Sequence, residues 1–225
     1  MLEELKRTLC QANRSLHESD LVLDEAAGAS GLDRAADAVI VKPGNLPCQS
    51  LRPKDLLVVS LTRGELLEGS GEPGPGLDTH LALYRSLAGI AAIVHSQGRF
   101  TTAWAQACKP IPPYGAVHAR RFLGTIPCTR ELTANEMRAR ANALVGKRIV
   151  QCFDRLDAMA VPAALAARRG GYAWGATVDD ALTNALSLEL VARLAAESIR
   201  IDPYPKPISA DLLAMYRRPP TGDRP

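Results

Sequence analysis

AAIVHSQGRFTTAWAQA, residues 91 to 107, is the stretch from which the fold of this chain can best be predicted. Its first four residues are apolar, which is typical of a short strand buried on both faces. His95, Ser96 and Gln97 follow at the carboxyl end of that strand, and Gly98 begins a turn. Apolar side chains then recur at helical spacing and predict a helix with one apolar face. The members of that face are Phe100, Ala103, Trp104 and Ala107.

Polar side chains at the carboxyl end of a buried strand usually face a crevice, so this trio is the first candidate for a functional site. The alternative is a polar strand end that merely caps the sheet. The segment from 160 to 167 is less decisive, because its many alanines predict helix by propensity.

Length and composition indicate one cytoplasmic domain. The 225 residues suffice for a single core, so we expect one domain over 1–225 with a proline-rich tail from about residue 203. The net charge of +3 is small and scattered, which argues against a nucleic-acid partner. No apolar run approaches the length of a membrane span, and the N-terminus lacks a signal-peptide core. The five cysteines never form a CxxC pair, so neither a disulfide framework nor a zinc knuckle is predicted.

Several blocks of the chain carry a family resemblance. The longest is IVHSQGRFTTAWAQACKPIPPYGAVHARRFLGTIPCTRELT from residue 93, and MLEELKR at the start, DLLVVSLTRGELLEG at 55–69 and YAWG at 172–175 agree with it. Together they resemble the class II aldolase family, most closely its L-ribulose-5-phosphate 4-epimerase branch. The resemblance implies an α/β domain with three layers, α/β/α, around a central, largely antiparallel sheet. It also implies a homotetramer with sites at subunit interfaces, and a strand rather than a helix at 160–167.

The metal ligands that the resemblance implies are mostly replaced. The family binds a divalent metal, usually zinc, through a His-x-His pair at the strand end and a third His before the aromatic YAWG-type block. Here His95 is kept, Gln97 stands at the second ligand position and Arg169 at the third. An arginine has no lone pair to offer a metal. We therefore expect neither a metal nor another cofactor.

The acid/base residues that the resemblance implies are also replaced. The carboxylate that follows a Thr-His-Ala block in the family corresponds to Arg120, two residues after His118. The family's second acid/base is a tyrosine near the C-terminus, and the closing residues 217–225, RRPPTGDRP, contain no tyrosine. His118, Arg120, Arg169 and His95 are accordingly the candidate catalytic residues.

The phosphate-binding turns of the family have lost side-chain donors. Gly28 stands where the family has asparagine, with Asp24 and Glu25 just before it, and Gly74 falls in a segment that replaces two phosphate-binding serines. Lys42 matches a lysine that the family directs toward its site, although an ordinary strand-end lysine is the alternative. The candidate substrate-binding residues are Gly28, Lys42, Asn45, Gly74 and Gln97.

Three functional interpretations follow. The first is a repurposed, metal-independent enzyme in which guanidinium groups bind a small carboxylate or enolate-forming substrate, for lyase, isomerase or cyclisation-type chemistry. The second is a non-catalytic binding or scaffold protein of the adducin-head type. The third is retained zinc-dependent epimerase or aldolase chemistry with ligands drawn from His80, His95, His118 and Asp78. Asp78 is better explained as the N-cap of a helix that begins at Thr79.

Overall fold

A seven-stranded antiparallel sheet forms the centre of the protein. The structure is a computed structural model that describes residues 2–23 and 26–216, without the side chains of residues 139 and 140. Asp24 and Glu25, expected beside a phosphate-type turn, and the closing segment 217–225 lie outside the described residues. The strands are β1 (Gly28–Asp33), β2 (Ala38–Val41), β3 (Leu57–Ser60), β4 (Leu66–Glu68), β5 (Ala92–Ser96), β6 (Ala163–Ala166) and β7 (Gly170–Gly175).

The strand order is β4-β3-β2-β1-β5-β7-β6, and every pairing is antiparallel. The helices are α1 (Leu2–Glu18), α2 (Leu77–Ser86), α3 (Arg99–Gln106), α4 (Ala116–Ala119), α5 (Ala134–Cys152), α6 (Val178–Ile201) and α7 (Ala210–Met215). Helices α1, α3 and α6 pack together on the sheet, while α2 and α5 form a separate pair. This arrangement confirms the expected three-layer α/β/α fold with an antiparallel sheet.

Strand β5 lies in the middle of the sheet, and this position explains its apolar sequence. Ala92, Ile93 and Val94 are almost fully buried, because β1 and β7 flank the strand and α6 packs on it. His95 and Ser96 belong to the strand itself and are buried as well, rather than standing beyond its end as the sequence suggested. His95 and Ser96 are therefore built into the core of the sheet, while Gln97 follows the strand and is half-buried.

Three local predictions from the sequence can be compared with the structure. Residues 163–166 form strand β6, so tertiary pairing with β7 overrides their helical propensity. The fully buried residues of α3 are Thr101 and Ala105; of the predicted face, Phe100 and Trp104 are partly buried against the core, while Ala103 and Ala107 are exposed. The N-cap of α2 is Gly76, and Asp78 lies inside the first turn, so the prediction of Asp78 as N-cap was wrong.

Helices α2 and α5 approach each other closely at Gly146. A Cβ atom at this position would meet the Ala82 side chain and the Thr79 backbone well within contact distance. Only glycine allows this approach. Within the described part of the chain, no helix is both long and apolar enough to cross a membrane.

The N-terminus of α3 is held by a carboxylate from α6. The Glu189 side chain accepts hydrogen bonds from the backbone N–H groups of Phe100 at 2.8 Å and Thr101 at 2.9 Å. These N–H groups have no partner within their own helix, and a negative charge is favoured at a helix N-terminus. Glu189 therefore joins two helices and fixes the chain that leaves β5.

His118 is a buried residue of α4. Its imidazole Nε2 lies 2.8 Å from the Gly124 carbonyl oxygen, and the ring packs edge-on against Phe122. Since a carbonyl only accepts, Nε2 carries the proton. Burial lowers the pKa of His118, and the bond to Gly124 opposes that shift in part.

Replacement of Glu189 by alanine should destabilise the fold. Two charge-assisted hydrogen bonds are lost, so Glu189→Ala is expected to lower the free energy of unfolding by about 2 kcal/mol. Urea denaturation at a fixed protein concentration measures this. Glu197→Ala is the matched control on the same helix, because its ion pair with Arg200 is exposed, and it should change stability by at most about 0.5 kcal/mol. Equal midpoints for the two variants would contradict the assigned role.

The buried His118 should make stability depend on pH. Because its pKa is lowered in the folded protein, the unfolded chain takes up a proton first as the pH falls below about 6.5. The contribution of His118 to the free energy of unfolding is therefore fully present above that pH. Below it, this contribution decreases by up to about 1.4 kcal/mol per pH unit. His118→Gln should flatten the decrease between about pH 6.5 and 5, as followed by urea denaturation.

The control for this experiment is His17→Gln, at an exposed position of α1. It is expected to keep the pH dependence of the unmodified protein. If the free energy of unfolding of His118→Gln falls with pH as steeply as that of the unmodified protein, protonation of His118 does not cause the pH dependence.

Candidate functional site

A row of three residues crosses the centre of the sheet and forms the base of the site. Gly28 of β1 pairs with His95 of β5, which pairs with Tyr172 of β7. Directly opposed residues project from the same face of a sheet. The rings of His95 and Tyr172 accordingly stack, with centroids 4.4 Å apart and planes 4° from parallel.

The orientation of His95 is fixed from two directions. Its Nδ1 lies 2.9 Å from the carbonyl oxygen of Ala26, and a carbonyl only accepts, so Nδ1 donates its proton. In the neutral imidazole, Nε2 therefore carries the lone pair. Nε2 lies 3.5 Å from the point where a Cβ atom on Gly170 would stand, and Gln97 Cγ is equally close to that point. His95, Gln97 and the start of β7 thus meet at one place.

Arg169 lies at the edge of this place and is oriented by α5. Its Nη1 donates to Asn142 Oδ1 at 3.0 Å, and its Nη2 lies 3.5 Å from the sulfur of Met137. Burial raises the pKa of Tyr172 to about 12, while a hydrogen bond with Thr79 and the nearby charge of Arg169 oppose the shift. The guanidinium is therefore close enough to act electrostatically on the ring that stacks on His95.

The donor set at this place does not fit a metal ion. His95 is an imidazole ligand and Gln97 a weak amide ligand, but Arg169 brings a permanent positive charge where a lone pair is required. Among residues 2–23 and 26–216, no group of three or more His, Cys, Asp or Glu side chains lies close enough together to hold a metal. We therefore assign no step of the chemistry to a metal.

A small cavity of about 30 Å³ adjoins the row of three residues. Gly28, Lys42, Gly74, Gly76 and His80 are among the residues that line it. Three of the predicted substrate-binding residues thus do meet around one space. Lys42 is buried, and its ammonium donates to the carbonyl oxygens of Pro43 at 3.2 Å and Leu46 at 3.0 Å.

The space beside Gly28 is closely filled by neighbouring side chains. A Cβ atom at this position would stand 3.0 Å from Asn13 Oδ1 and 3.2 Å from Lys42 Cδ. Asn13 is fixed there, because it accepts from the Ala29 N–H at 2.9 Å and donates to the Leu9 carbonyl at 2.8 Å. The space beside Gly28 is therefore occupied by two neighbouring side chains.

His80, which the sequence analysis named only as a possible ligand in the zinc-dependent interpretation, contributes a polar atom next to this cavity. Its Nδ1 is 2.7 Å from Ser30 Oγ, and Ser30 Oγ is 2.8 Å from the Tyr84 hydroxyl. Nε2 is buried without a hydrogen-bond partner in the described structure and lies 3.8 Å from where a Gly76 Cβ would stand. Burial, together with nearby His95, lowers the pKa of His80 to about 3, so the ring is neutral at physiological pH.

Ser30, Tyr84 and Tyr172 are the site residues that sequence reasoning missed. Ser30 stands two positions after Gly28 in the same strand, so its side chain shares the face of the site. That alternation was the available signal. Tyr172 was read only as part of a family block, although its position opposite a predicted site strand could have singled it out.

The remaining predicted residues lie elsewhere in the monomer. His118 lines a second cavity of about 230 Å³ between α4 and α6, which shares no lining residue with the first. Arg120 is exposed at the C-terminal end of α4. Asn45 is exposed on the connection that follows β2 and does not line the first cavity. Within one chain, the first cavity and the α4 region are therefore separate.

Comparisons with known proteins agree with this geometry. The model of the family "Class II Aldolase and Adducin N-terminal domain" matches residues 7–196. An L-ribulose-5-phosphate 4-epimerase, UlaF, from Salmonella paratyphi B is 33% identical over 212 residues, which cover 94% of this chain and 92% of the epimerase.

Solved structures show the same fold at lower identity. An L-fuculose 1-phosphate aldolase superposes with a TM-score of 0.80 at 19% identity, covering 95% of this chain and 94% of the aldolase. The L-fuculose-1-phosphate aldolase of Thermus thermophilus gives a TM-score of 0.69 at 20% identity, covering 91% of this chain and 100% of that aldolase. From the family match, the extent of the identity and the shared fold, the chain belongs to the class II aldolase and adducin family.

Proposed function

We propose that this protein is a metal-independent enzyme on the class II aldolase scaffold that acts on a small carboxylate or enolate-forming substrate. The observation that carries the proposal is the position of Arg169. The family resemblance implies a metal ligand at this position, and the positive charge of Arg169 counteracts the rise in the pKa of Tyr172, whose ring stacks on His95. The phenol ring of Tyr172 thus contacts the imidazole of His95 and is also affected by the positive charge of Arg169.

The two groups supply complementary chemistry. A guanidinium offers planar, paired donors that match a carboxylate or an enolate oxygen. Asn142 and Met137 engage one atom each of the Arg169 head group and so orient it in advance. The Nε2 lone pair of His95 is suited to accept a proton from a substrate carbon or hydroxyl and return it. Lyase, isomerase or cyclisation-type reactions need this pairing of a base with an oxyanion stabiliser.

We further propose a cytoplasmic homotetramer in which α4 of a neighbouring subunit completes the site. Apolar side chains are exposed around the α4 cavity, which favours contact with another chain. They are Val117, Leu186, Leu190 and Leu194. In such an assembly, His118 and Arg120 would serve the site of a partner rather than the site of their own chain.

Carboxylates should stabilise the protein through Arg169. In a thermal-shift experiment with a panel of mono- and dicarboxylic acids, a saturating ligand is expected to raise Tm by about 2–4 °C per kcal/mol of binding free energy. Arg169→Ala should abolish the increase in Tm. Arg169→Lys should keep only part of it, because an ammonium lacks the paired, planar N–H donors of a guanidinium. Arg120→Ala should weaken it if a neighbouring subunit contributes α4.

The matched control is Arg168→Ala, the adjacent arginine, which is exposed and pairs with Glu131 at 3.2 Å. It should respond to carboxylates like the unmodified protein. Two results would contradict the enzyme proposal: no carboxylate stabilises the unmodified protein, or Arg168→Ala and Arg169→Ala respond equally to carboxylates. A non-catalytic scaffold of the adducin type would then be the better explanation.

Protein purified without added metal should contain far less than one zinc per chain. The reason is that one imidazole and one amide fall short of the three or four ligands that zinc requires. Elemental analysis of the purified protein and of His95→Ala measures this. About one zinc per chain that disappears in His95→Ala would instead support zinc-dependent epimerase or aldolase chemistry.

A further inference from the structure

We propose that Asn142 is the positioning residue of Arg169: its amide oxygen directs the guanidinium while leaving the positive charge uncompensated. The inference rests on the proposed function in taking Arg169 as the group that binds a carboxylate. It goes further in giving helix α5 a role in the site, because Asn142 lies in the middle of that helix.

Asn142 contacts the site through two different oxygen atoms. Its side-chain Oδ1 accepts a hydrogen bond from Arg169 Nη1 at 3.0 Å, and its backbone carbonyl oxygen accepts one from the Thr79 hydroxyl at 2.7 Å. Because a carbonyl only accepts, this bond uses the single hydrogen of Thr79, and the Thr79 oxygen is left to accept from the phenol of Tyr172. One residue of α5 therefore fixes both Arg169 and the hydroxyl end of the ring that stacks on His95.

The docking of α5 on α2 determines where Asn142 stands. Gly146 lies one turn further along α5, and a Cβ atom there would be 3.1 Å from the Thr79 Cα atom. Thr79 thus contacts two successive turns of α5, with its backbone at Gly146 and with its hydroxyl at Asn142. These contacts set the position of the Asn142 side chain relative to the sheet.

The charge of Arg169 is not taken up by nearby carboxylates. The sequence of α5 contains one acidic residue, Glu136, and its carboxylate is 2.7 Å from the guanidinium of Arg148. Glu131 pairs with Arg168 at 3.2 Å. Among residues 2–23 and 26–216, no ion pair includes Arg169. A neutral acceptor therefore orients this guanidinium, and a carboxylate ligand has no ion-paired competitor to displace.

A double-mutant cycle measured by thermal unfolding tests the contact between the two residues. Asn142→Asp offers Arg169 a charged acceptor, so its effect on Tm should be about 2–4 °C more favourable in the unmodified protein than in the Arg169→Ala background. Asn142→Ala removes the acceptor. It should lower Tm in the unmodified protein and change it much less when Arg169 is absent, and this second cycle decides the matter if Asn142→Asp does not fold.

Acetate binding, measured by isothermal titration, separates orientation of the guanidinium from its neutralisation. In Asn142→Asp the new carboxylate pairs with Arg169, so acetate affinity should fall about tenfold although stability does not fall. Asn142→Ala keeps the charge but loses its orientation, and should weaken acetate binding about threefold. A purely structural role of Asn142 would move stability and affinity in the same direction.

The matched control is Asn135→Asp, which makes the same change of charge on the same helix. Asn135 is exposed, and its side chain contacts Arg138 at 3.5 Å rather than Arg169. Its acetate affinity should stay within about twofold of that of the unmodified protein.

Two outcomes would overturn the inference. The first is that neither substitution of Asn142 depends on Arg169 in its effect on Tm. The second is that the unmodified protein binds acetate and Asn142→Asp binds it as tightly as Asn135→Asp does. Failure of the proposed function is recognised separately: neither the unmodified protein nor Arg169→Ala binds acetate, while the Tm coupling between positions 142 and 169 persists and supports the positioning role.

Discussion

The register of β5 between β1 and β7 is the constraint on which the site depends. It places Gly28, His95 and Tyr172 in one row, so that the imidazole and the phenol stack at 4.4 Å. Because side chains alternate across a strand, a shift by one residue would turn His95 toward the opposite helix layer and bring Ser96 into its place. The hydrogen bond of His95 to Ala26 and its stacking on Tyr172 would both be lost in such a shift, so these contacts favour the observed register.

Two kinds of polar group are arranged around this row. Neutral groups lie in the core, where the Ser30 hydroxyl is hydrogen-bonded to His80 Nδ1 and to the Tyr84 hydroxyl. The positive charge of Arg169 lies at the rim, half-buried and oriented by Asn142. A charge in the core itself would be costly without a paired partner. Lys42 departs from this division, because its ammonium is buried beside the cavity and donates hydrogen bonds to the carbonyl oxygens of Pro43 and Leu46.

The fold was predictable from the sequence, because the apolar strand at 91–94 and the family blocks agreed. The site was predictable only in part. The family resemblance singled out His95, Gln97 and Arg169 as candidates, and of the predicted substrate-binding residues Lys42, Gly28 and Gly74 do share a cavity. The contacts of Arg169 with Asn142, and of Ser30 with His80, join residues 27 and 50 positions apart. Such pairs depend on how helices dock on the sheet, which no local pattern encodes.

The crowding beside Gly28 has a consequence for any substitution at this position. A larger residue would place its Cβ atom 3.0 Å from Asn13 and 3.2 Å from Lys42, on a backbone with φ of 155°. The two neighbouring side chains would have to shift, and Asn13 also secures the start of β1 through Ala29. A new side-chain donor at position 28 therefore requires an accompanying change at Asn13 or Lys42, so the three positions are free to vary only together.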